Sequence, residues 1–350
     1  MSKRLTSFLG KAAIVATLIC LSGAAAGADS CAVPDPDIPS ITTCFFDLTA
    51  SPSTTPTPTP APVLLNGGLF RVPPTPEGDL GIGTIVGTGL FQPFVRIQEP
   101  NGNNNGIQAG FNTNGRDGVG PAAMELDNHD KGGSNWNHAI RLSDIPIVTV
   151  CDGGTSTGTN CKQYYEFLLD VNEQGNSPNS GISLDEFKLF TAGLPDITGF
   201  TGDDDKAGIT DFSLDGAALK YDMDGPDGGD ASILMDYMNF SGSGNGVDLQ
   251  ALVAVENLAG VSGDDYVYLY SKFGWTGGQC QVPGGTLSPC AAPNETTIGG
   301  TAGELNFAAD AGFEEWSIRK KVPLPSTLLL LGIGFAGLVS LRRLRRKPQV

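Results

Sequence analysis

Two stretches near the middle of the chain decide its fold: YYEFLLDV at residues 164–171 and SLDEFKLF at residues 183–190. In the first run, the apolar residues of one strand face alternate with Glu166 and the other residues of the opposite face. In the second run, Glu186 and Lys188 lie on the face opposite the apolar residues. Successive side chains of a β-strand point to opposite faces, so this period of two predicts half-buried strands.

The same period recurs in both directions along the chain. It is clear in VDLQALVAV at residues 247–255 and in YVYLYSKF at residues 266–273. Shorter candidate strands occupy residues 94–98, 145–150, 217–221, 233–239 and 316–318. Clusters of Gly, Asn and Asp separate these runs, as loops between antiparallel strands do. We therefore predict an all-β fold, a single antiparallel β-sandwich or jelly-roll-like domain over residues 63–321.

The charge of the 350-residue chain is strongly negative and unevenly distributed. The formal net charge is -17, which argues against a nucleic-acid partner. All 38 acidic residues lie between residues 29 and 321, whereas both ends of the chain are basic and apolar. This layout predicts a soluble acidic body whose two ends are handled by membrane machinery.

The amino end has the pattern of a secretory signal peptide over residues 1–28. A basic start is followed by an apolar run at residues 12–21 and by small residues at 24–28. An apolar run this short cannot cross a hydrocarbon core of about 30 Å. We expect export through the Sec translocon and removal of the segment by signal peptidase.

The carboxyl end predicts a transmembrane helix. VPLPST at residues 322–327 precedes an apolar run at 328–341, and Arg342, Arg343, Arg345 and Arg346 follow. The prolines cannot lie inside a helix, while Ser326 can cap one that begins there. The arginines would hold this end in the cytoplasm, which leaves the acidic body outside an inner-membrane anchor.

Residues 322–347 resemble the PEP-CTERM sorting signal of Gram-negative, exopolysaccharide-producing bacteria. The likeness rests on Val322, Pro323, Pro325 and Ser326, on the apolar helix, and on the four arginines; Leu324 stands where the family usually has Glu. The resemblance implies cleavage near the motif by an exosortase, a membrane cysteine transpeptidase. Segments of the body, such as GFEEWSI, resemble a group of PEP-CTERM proteins that has no established activity.

Between the signal peptide and the domain lie a short segment, residues 29–50, and a Thr/Pro linker, residues 51–62. Alternating Thr and Pro favours an extended polyproline II spacer. In an exported chain, closeness in sequence favours three local disulfides among the several pairings that remain open. These are Cys31–Cys44, Cys151–Cys161 and Cys280–Cys290.

An acidic turn is the candidate metal site. YDMDGPDGGD brings Asp222, Asp224, Asp227 and Asp230 together, and carboxylate oxygens are the ligands that calcium prefers. Their spacing is not that of an EF-hand, and a solvated turn rich in Asp and Gly is the alternative. No other cofactor is expected.

Three tyrosines form a candidate carbohydrate site. Tyr266, Tyr268 and Tyr270 share one strand face and could stack on sugar rings. In the alternative interpretation, this face is covered by a second sheet or by a loop.

The evidence for a hydrolase motif in the sequence is weak. GTSTG at residues 154–158 matches the serine-hydrolase pattern around Ser156, but no helix follows it as the nucleophile elbow requires. We therefore expect no enzyme but an exported, exosortase-processed protein of the cell surface or extracellular matrix, with a structural or adhesive role associated with exopolysaccharide. A carbohydrate-binding module is the first alternative and a secreted hydrolase the second.

Overall fold

The computed structural model describes fifteen segments of the chain: residues 30–34, 42–48, 62–73, 91–98, 107–113, 136–152, 157–173, 179–201, 212–225, 230–239, 247–274, 279–282, 286–289, 307–309 and 312–320. The predicted signal peptide and the sorting signal at 322–347 lie outside the described residues.

Nineteen strands and three short 3-10 turns form the described part. The strands are β1 Ser30–Pro34, β2 Thr42–Asp47, β3 Val63–Leu65, β4 Gly68–Arg71, β5 Phe91–Ile97, β6 Gln108–Phe111, β7 Ile140–Arg141, β8 Ile147–Val150, β9 Lys162–Asp170, β10 Gly181–Ala192, β11 Phe200–Thr201, β12 Ser213–Leu214, β13 Ala218–Asp222, β14 Asp230–Asp236, β15 Leu249–Ala254, β16 Tyr266–Phe273, β17 Gln279–Val282, β18 Thr286–Pro289 and β19 Glu314–Arg319. The 3-10 turns are Leu142–Asp144, Tyr237–Asn239 and Val255–Leu258. The all-β prediction is confirmed.

Two large sheets contain most of these strands. The first has eight strands in the order β1-β2-β14-β10-β16-β6, with β13 also on β10 and β7 also on β16. The second has seven in the order β3-β4-β15-β9-β19-β5, with β8 also on β9. All pairs are antiparallel except β2 with β14. The sheets face each other across one core, as in a β-sandwich.

Aromatic rings from both sheets meet in this core. Phe167 of β9 and Phe187 of β10 have ring centroids 5.9 Å apart, and Trp316 of β19 lies 4.9 Å from Phe187. The indole N–H of Trp316 donates to the Ser271 hydroxyl at 3.0 Å, so the one polar group of that ring is satisfied. The two sequence runs that predicted the fold thus supply facing strands of the two sheets.

A β-bulge interrupts the alternation in β10. The register against β16 shifts between Leu184 and Glu186, so Asp185 is the extra residue of the bulge. The Asp185 carboxylate accepts hydrogen bonds from the hydroxyls of Ser183 and Ser232, at 3.0 and 2.7 Å. The bulge restores Phe187 to the core face.

The outward positions of these strands are not exposed, contrary to the half-buried pattern that alternation predicts. Glu166 is 0% exposed, and Glu186 and Lys188 are each 7% exposed. Each of these side chains lies in a charge network, because a buried ionised group is stable only when it is paired.

Candidate functional sites

The acidic turn lies where one edge of β10 changes partner. β13 pairs with β10 from Lys188 to Thr191, and β14 pairs with the same edge from Gly181 to Leu184. Asp222 is the last residue of β13 and lies opposite Lys188 in β10. Asp224 follows it in the turn after β13, on the outer face of the first sheet.

Three carboxylates meet there. Oxygen atoms of Glu186, Asp222 and Asp224 all lie within 4.8 Å of one another. The backbone fixes Asp224, whose carboxylate accepts from the Ala231 N–H at 2.9 Å and whose own N–H donates to Asp222 at 3.1 Å. Oxygen ligands at this spacing could hold a hard cation such as calcium.

An ammonium group already lies among these oxygens. Lys188 Nζ is 3.0 Å from Glu186 Oε2 and 3.3 Å from Asp222 Oδ2. Burial by itself lowers the pKa of Lys188, but the charges of Glu186 and Asp222 outweigh it and raise that pKa above its ordinary value. Burial raises the pKa of Glu186, against the opposing effects of Lys188 and of Lys272, the residue opposite Glu186 in β16. We call Glu186, Lys188, Asp222 and Asp224 the first-sheet network.

The predicted calcium ligands are only partly within the described residues. Asp222 and Asp224 come together as the sequence suggested, whereas Asp227 and the Asp230 side chain lie outside them. Sequence reasoning missed Glu186 and Lys188, because only the pairing of β10 with β13 brings them to the turn.

The tyrosine face of β16 is covered. Tyr268 and Tyr270 are both 0% exposed and Tyr266 is half-buried. Phe212, which precedes β12, stacks on Tyr270 with ring centroids 3.9 Å apart and planes 8° apart. Burial raises the pKa of Tyr268 to about 12, and its hydroxyl donates to the Leu194 carbonyl. Sugar rings therefore cannot stack on Tyr268 or Tyr270 in this conformation, in accordance with the covered alternative.

A second network lies on the outer face of the second sheet. Glu166 of β9 accepts hydrogen bonds from the guanidinium of Arg319 through both carboxylate oxygens and from the Gln250 amide. The Gln250 carbonyl in turn accepts from Arg71 Nε at 2.7 Å. We call Arg71, Glu166, Gln250 and Arg319 the second-sheet network. Arg319 ends β19, so this network fixes the last strand of the domain.

One predicted disulfide is present in the described residues: Cys151 and Cys161 are bonded and close the connection between β8 and β9. Cys31 and Cys44 lie opposite each other in the β1–β2 register. The side chains of Cys31, Cys44 and Cys280, together with Cys290 and Ser156, lie outside the described residues.

Comparison with known families gives a result at the end of the chain, directly after β19. Residues 321–346 match the model of the PEP-CTERM protein-sorting motif. The chain therefore carries a PEP-CTERM sorting motif. The match includes the predicted sorting residues Val322, Pro323, Pro325, Ser326, Arg342, Arg343, Arg345 and Arg346. No curated protein and no solved structure matches the chain.

The motif indicates export, sorting by an exosortase as the processing partner, and a surface or extracellular destination. Among the described residues no helix has the length and apolar character to cross a membrane. The predicted span at residues 326–341 lies outside them.

Proposed function

We propose that this PEP-CTERM protein is a non-enzymatic structural or adhesive component of the cell surface or extracellular matrix, associated with exopolysaccharide. The observation that carries the proposal is the sorting motif at residues 321–346, which follows the last strand of a β-sandwich. The precursor would be held in the inner membrane by residues 328–341 until the exosortase cuts near Pro325.

The acidic body supports a role outside the cell. The whole chain has a formal net charge of -17 and all its acidic residues lie in this body, so the body should stay soluble and repel other anionic polymers unless divalent cations bridge them. The first-sheet network offers carboxylate oxygens for such bridging. The Cys151–Cys161 disulfide suits an oxidising compartment.

The mass of the mature protein tests this proposal. In cells with an active exosortase, we expect a secreted or surface-bound species that has lost both the signal peptide and the segment after the motif. In a strain without exosortase activity, the species should keep its carboxyl end and stay with the inner membrane. Recovery of intact protein ending at Val350 from the membrane of both strains would refute processing.

Association with exopolysaccharide needs its own measurement. We expect the mature protein to cosediment with polysaccharide purified from the same cells in the presence of millimolar calcium, and to be released by a chelator. A matched mixture with a neutral polysaccharide is the control for bridging by cations. Equal recovery in the pellet with and without polysaccharide would contradict the association.

A further inference from the structure

The last strand of the body ends beside the start of β8. β15 occupies one edge of β9, so β19 and β8 share the other edge, one after the other. Ser317 of β19 pairs with Leu168, and two residues back along β9 the Glu166 N–H donates to the Pro146 carbonyl at 3.0 Å. The side chain of Arg319 forms an ion pair with Glu166 itself, so the chain leaves the sheet next to Pro146.

A pocket opens close to this point, at the end of the core. Ile147 pairs with Tyr165, which belongs to the core cluster, so both side chains lie on the inner face of the second sheet. They line a pocket of about 310 Å³ together with Leu142, Ser143, Ile145 and Val261. Ligand pockets in proteins begin at about this size and are lined mainly by apolar and aromatic side chains, as this one is.

Backbone hydrogen bonds fix the walls of the pocket. The N–H groups of Leu142 and Ser143 donate to the carbonyls of Asp265 and Gly263, each at 2.9 Å. These bonds hold the 3-10 turn after β7 against the loop before β16. Ile147 is 49% exposed, so an apolar side chain of the lining is open to solvent at the mouth of the pocket.

The next residues of the chain are within reach of this mouth. Leu324 follows Arg319 by five residues, which can span at most about 18 Å when extended. Ile147 lies one residue beyond Pro146, and one residue of a strand advances by only about 3.4 Å. Because the segment is tethered to the body by a few residues, its effective concentration at the pocket is roughly millimolar, so even weak contacts can hold it there.

The side chains of this segment match the apolar lining. Val322 and Leu324 each precede a proline, which favours an extended backbone and presents two apolar side chains with no charge between them. Leu324 stands where the PEP-CTERM pattern usually has Glu. A leucine can enter the pocket favourably, whereas a glutamate would have to bury its charge.

The charges around the mouth complement the same segment. Asp144 and Asp264 are exposed and adjoin residues of the lining. Arg141 pairs with Asp264 at 2.9 Å and offsets only one of these two charges, so the rim stays negative. Lys320 is exposed at the end of β19, and Lys321 follows it in the sequence. The segment that leaves the sheet therefore begins with two positive charges next to an acidic rim.

We propose that this pocket is the docking site for Val322 and Leu324 of the sorting motif, which the folded body holds beside its own last strand. The lining takes up the two apolar side chains, and the acidic rim attracts Lys320 and Lys321. Docking occupies residues of the motif that the exosortase recognises, so the pocket and the peptidase compete for one segment. This competition, unlike the docking itself, rests on the cleavage near Pro325 in the proposed function.

Photo-crosslinking from the mouth of the pocket tests the docking. Full-length precursor is made in cells without exosortase activity, with benzoylphenylalanine in place of Ile147, and the cross-linked peptides are identified by mass spectrometry. We expect cross-links to residues 322–324 of the same chain. Benzoylphenylalanine in place of Met238, which is 55% exposed and lies beside the start of β10 at the opposite end of the sandwich, should give none.

Variants of Leu324 provide the matched comparison, because this residue follows the last strand and its replacement leaves the body intact. Leu324→Glu introduces the residue that is usual in the motif and should lower the cross-link yield several-fold, whereas Leu324→Met should keep it. Equal yields from these two variants would overturn the docking. Cross-links from position 147 to lipid or to a second copy of the chain, in place of residues 322–324, would overturn it too.

The rate of processing tests the competition. In cells with an active exosortase, Ile147→Glu leaves the motif unchanged but places a charge at the mouth of the pocket, so pulse-chase labelling should show faster loss of the carboxyl end. Leu64→Glu, at a residue that is 65% exposed and outside the pocket, is the control and should be processed at the native rate.

Equal rates for Ile147→Glu, Leu64→Glu and the native protein would refute the competition. If none of the three is processed, the cleavage in the proposed function fails and the competition fails with it, while the cross-links alone decide the docking.

Discussion

The two charge networks occupy equivalent places, on the outer faces of the two sheets, yet they have opposite composition. The second-sheet network sets two arginines against the single carboxylate of Glu166. The first-sheet network sets three carboxylates against Lys188, and Lys272, opposite Glu186 in β16, adds a second positive charge. The Glu166 side chain is 0% exposed, whereas that of Asp222 is 20% exposed.

This difference separates a structural network from one that can take up a ligand. Bidentate bonds and a neutral amide leave Glu166 without room for a further cation. The first-sheet network retains excess negative charge and lies beside a loop at the surface. Both sheets thus bury charged side chains on their outer faces, but only the first-sheet network has the excess negative charge that could bind a cation.

The largest expected effect comes from Glu166→Gln. The substitution keeps the volume but removes the buried negative charge that pairs with the partly buried guanidinium of Arg319, which costs about 3 kcal/mol. Urea unfolding of the mature domain measures the loss. Replacing the pair together, with Glu166→Leu and Arg319→Met, should recover most of it. If Glu166→Gln alone cost no more than the loss of an exposed ion pair, the second-sheet network would not have the structural role assigned to it.

Lys188→Met should cost less, about 2 kcal/mol, because part of the first-sheet network is open to solvent and the remaining carboxylates gain hydration. Loss of the ammonium should also open the site to calcium, so millimolar calcium should raise the Tm of this variant more than that of the native protein. Lys188→Met combined with Asp224→Asn is the matched control. Equal calcium response in all three proteins would rule out a site here.

Asp248 shows what burial does to an acid whose neighbouring charge is also negative. Burial first, and then the charge of Asp170, raise the pKa of Asp248 well above its ordinary value, although its carboxylate accepts from the Val171 N–H at 2.8 Å. Because the folded state holds this proton more tightly, the contribution to stability is present at acidic pH and is lost as pH rises through the raised pKa.

Asp248→Asn should therefore stabilise the domain at neutral pH, since each unit of raised pKa corresponds to about 1.4 kcal/mol. The amide oxygen of Asn can still accept from Val171. Unfolding free energies measured from about pH 4, near the ordinary carboxyl pKa, to about pH 8 should fall less steeply in the variant. Parallel profiles for the two proteins would be inconsistent with a buried, titrating Asp248.

The smallest effect is expected for Arg141→Gln. Arg141 is 2.9 Å from Asp264, but both side chains are exposed, so solvent screens the pair. Urea unfolding should show no measurable change. A loss comparable to that of Lys188→Met would mean that exposure does not separate the networks from ordinary surface pairs.

Local patterns predicted the strands well. The runs at 164–171 and 183–190 became β9 and β10, and their predicted faces meet in the core through Phe167 and Phe187. Period-two alternation is a property of neighbouring residues, so a single sequence contains it. The bulge at Asp185 was not predicted, because it depends on the register of β10 against β16.

The candidate sites were less accessible to sequence reasoning. The sequence predicts Asp222 and Asp224 as ligands because they are close neighbours in the chain. Lys188 lies beside them only because β10 pairs with β13. The sequence around the tyrosines of β16 does not indicate that Phe212, which is distant in the chain, stacks on Tyr270. Contacts between residues far apart in sequence leave no local pattern.

By itself, the amino-acid sequence determined the strand class of the body and the destination of the protein, because alternation and a linear sorting motif are both encoded in adjacent residues. Only the tertiary structure decided which outward charges are buried, which aromatic face is covered, and which strands flank the last strand of the body. Those properties depend on register and on which strands become neighbours, and both are set by packing of the whole domain.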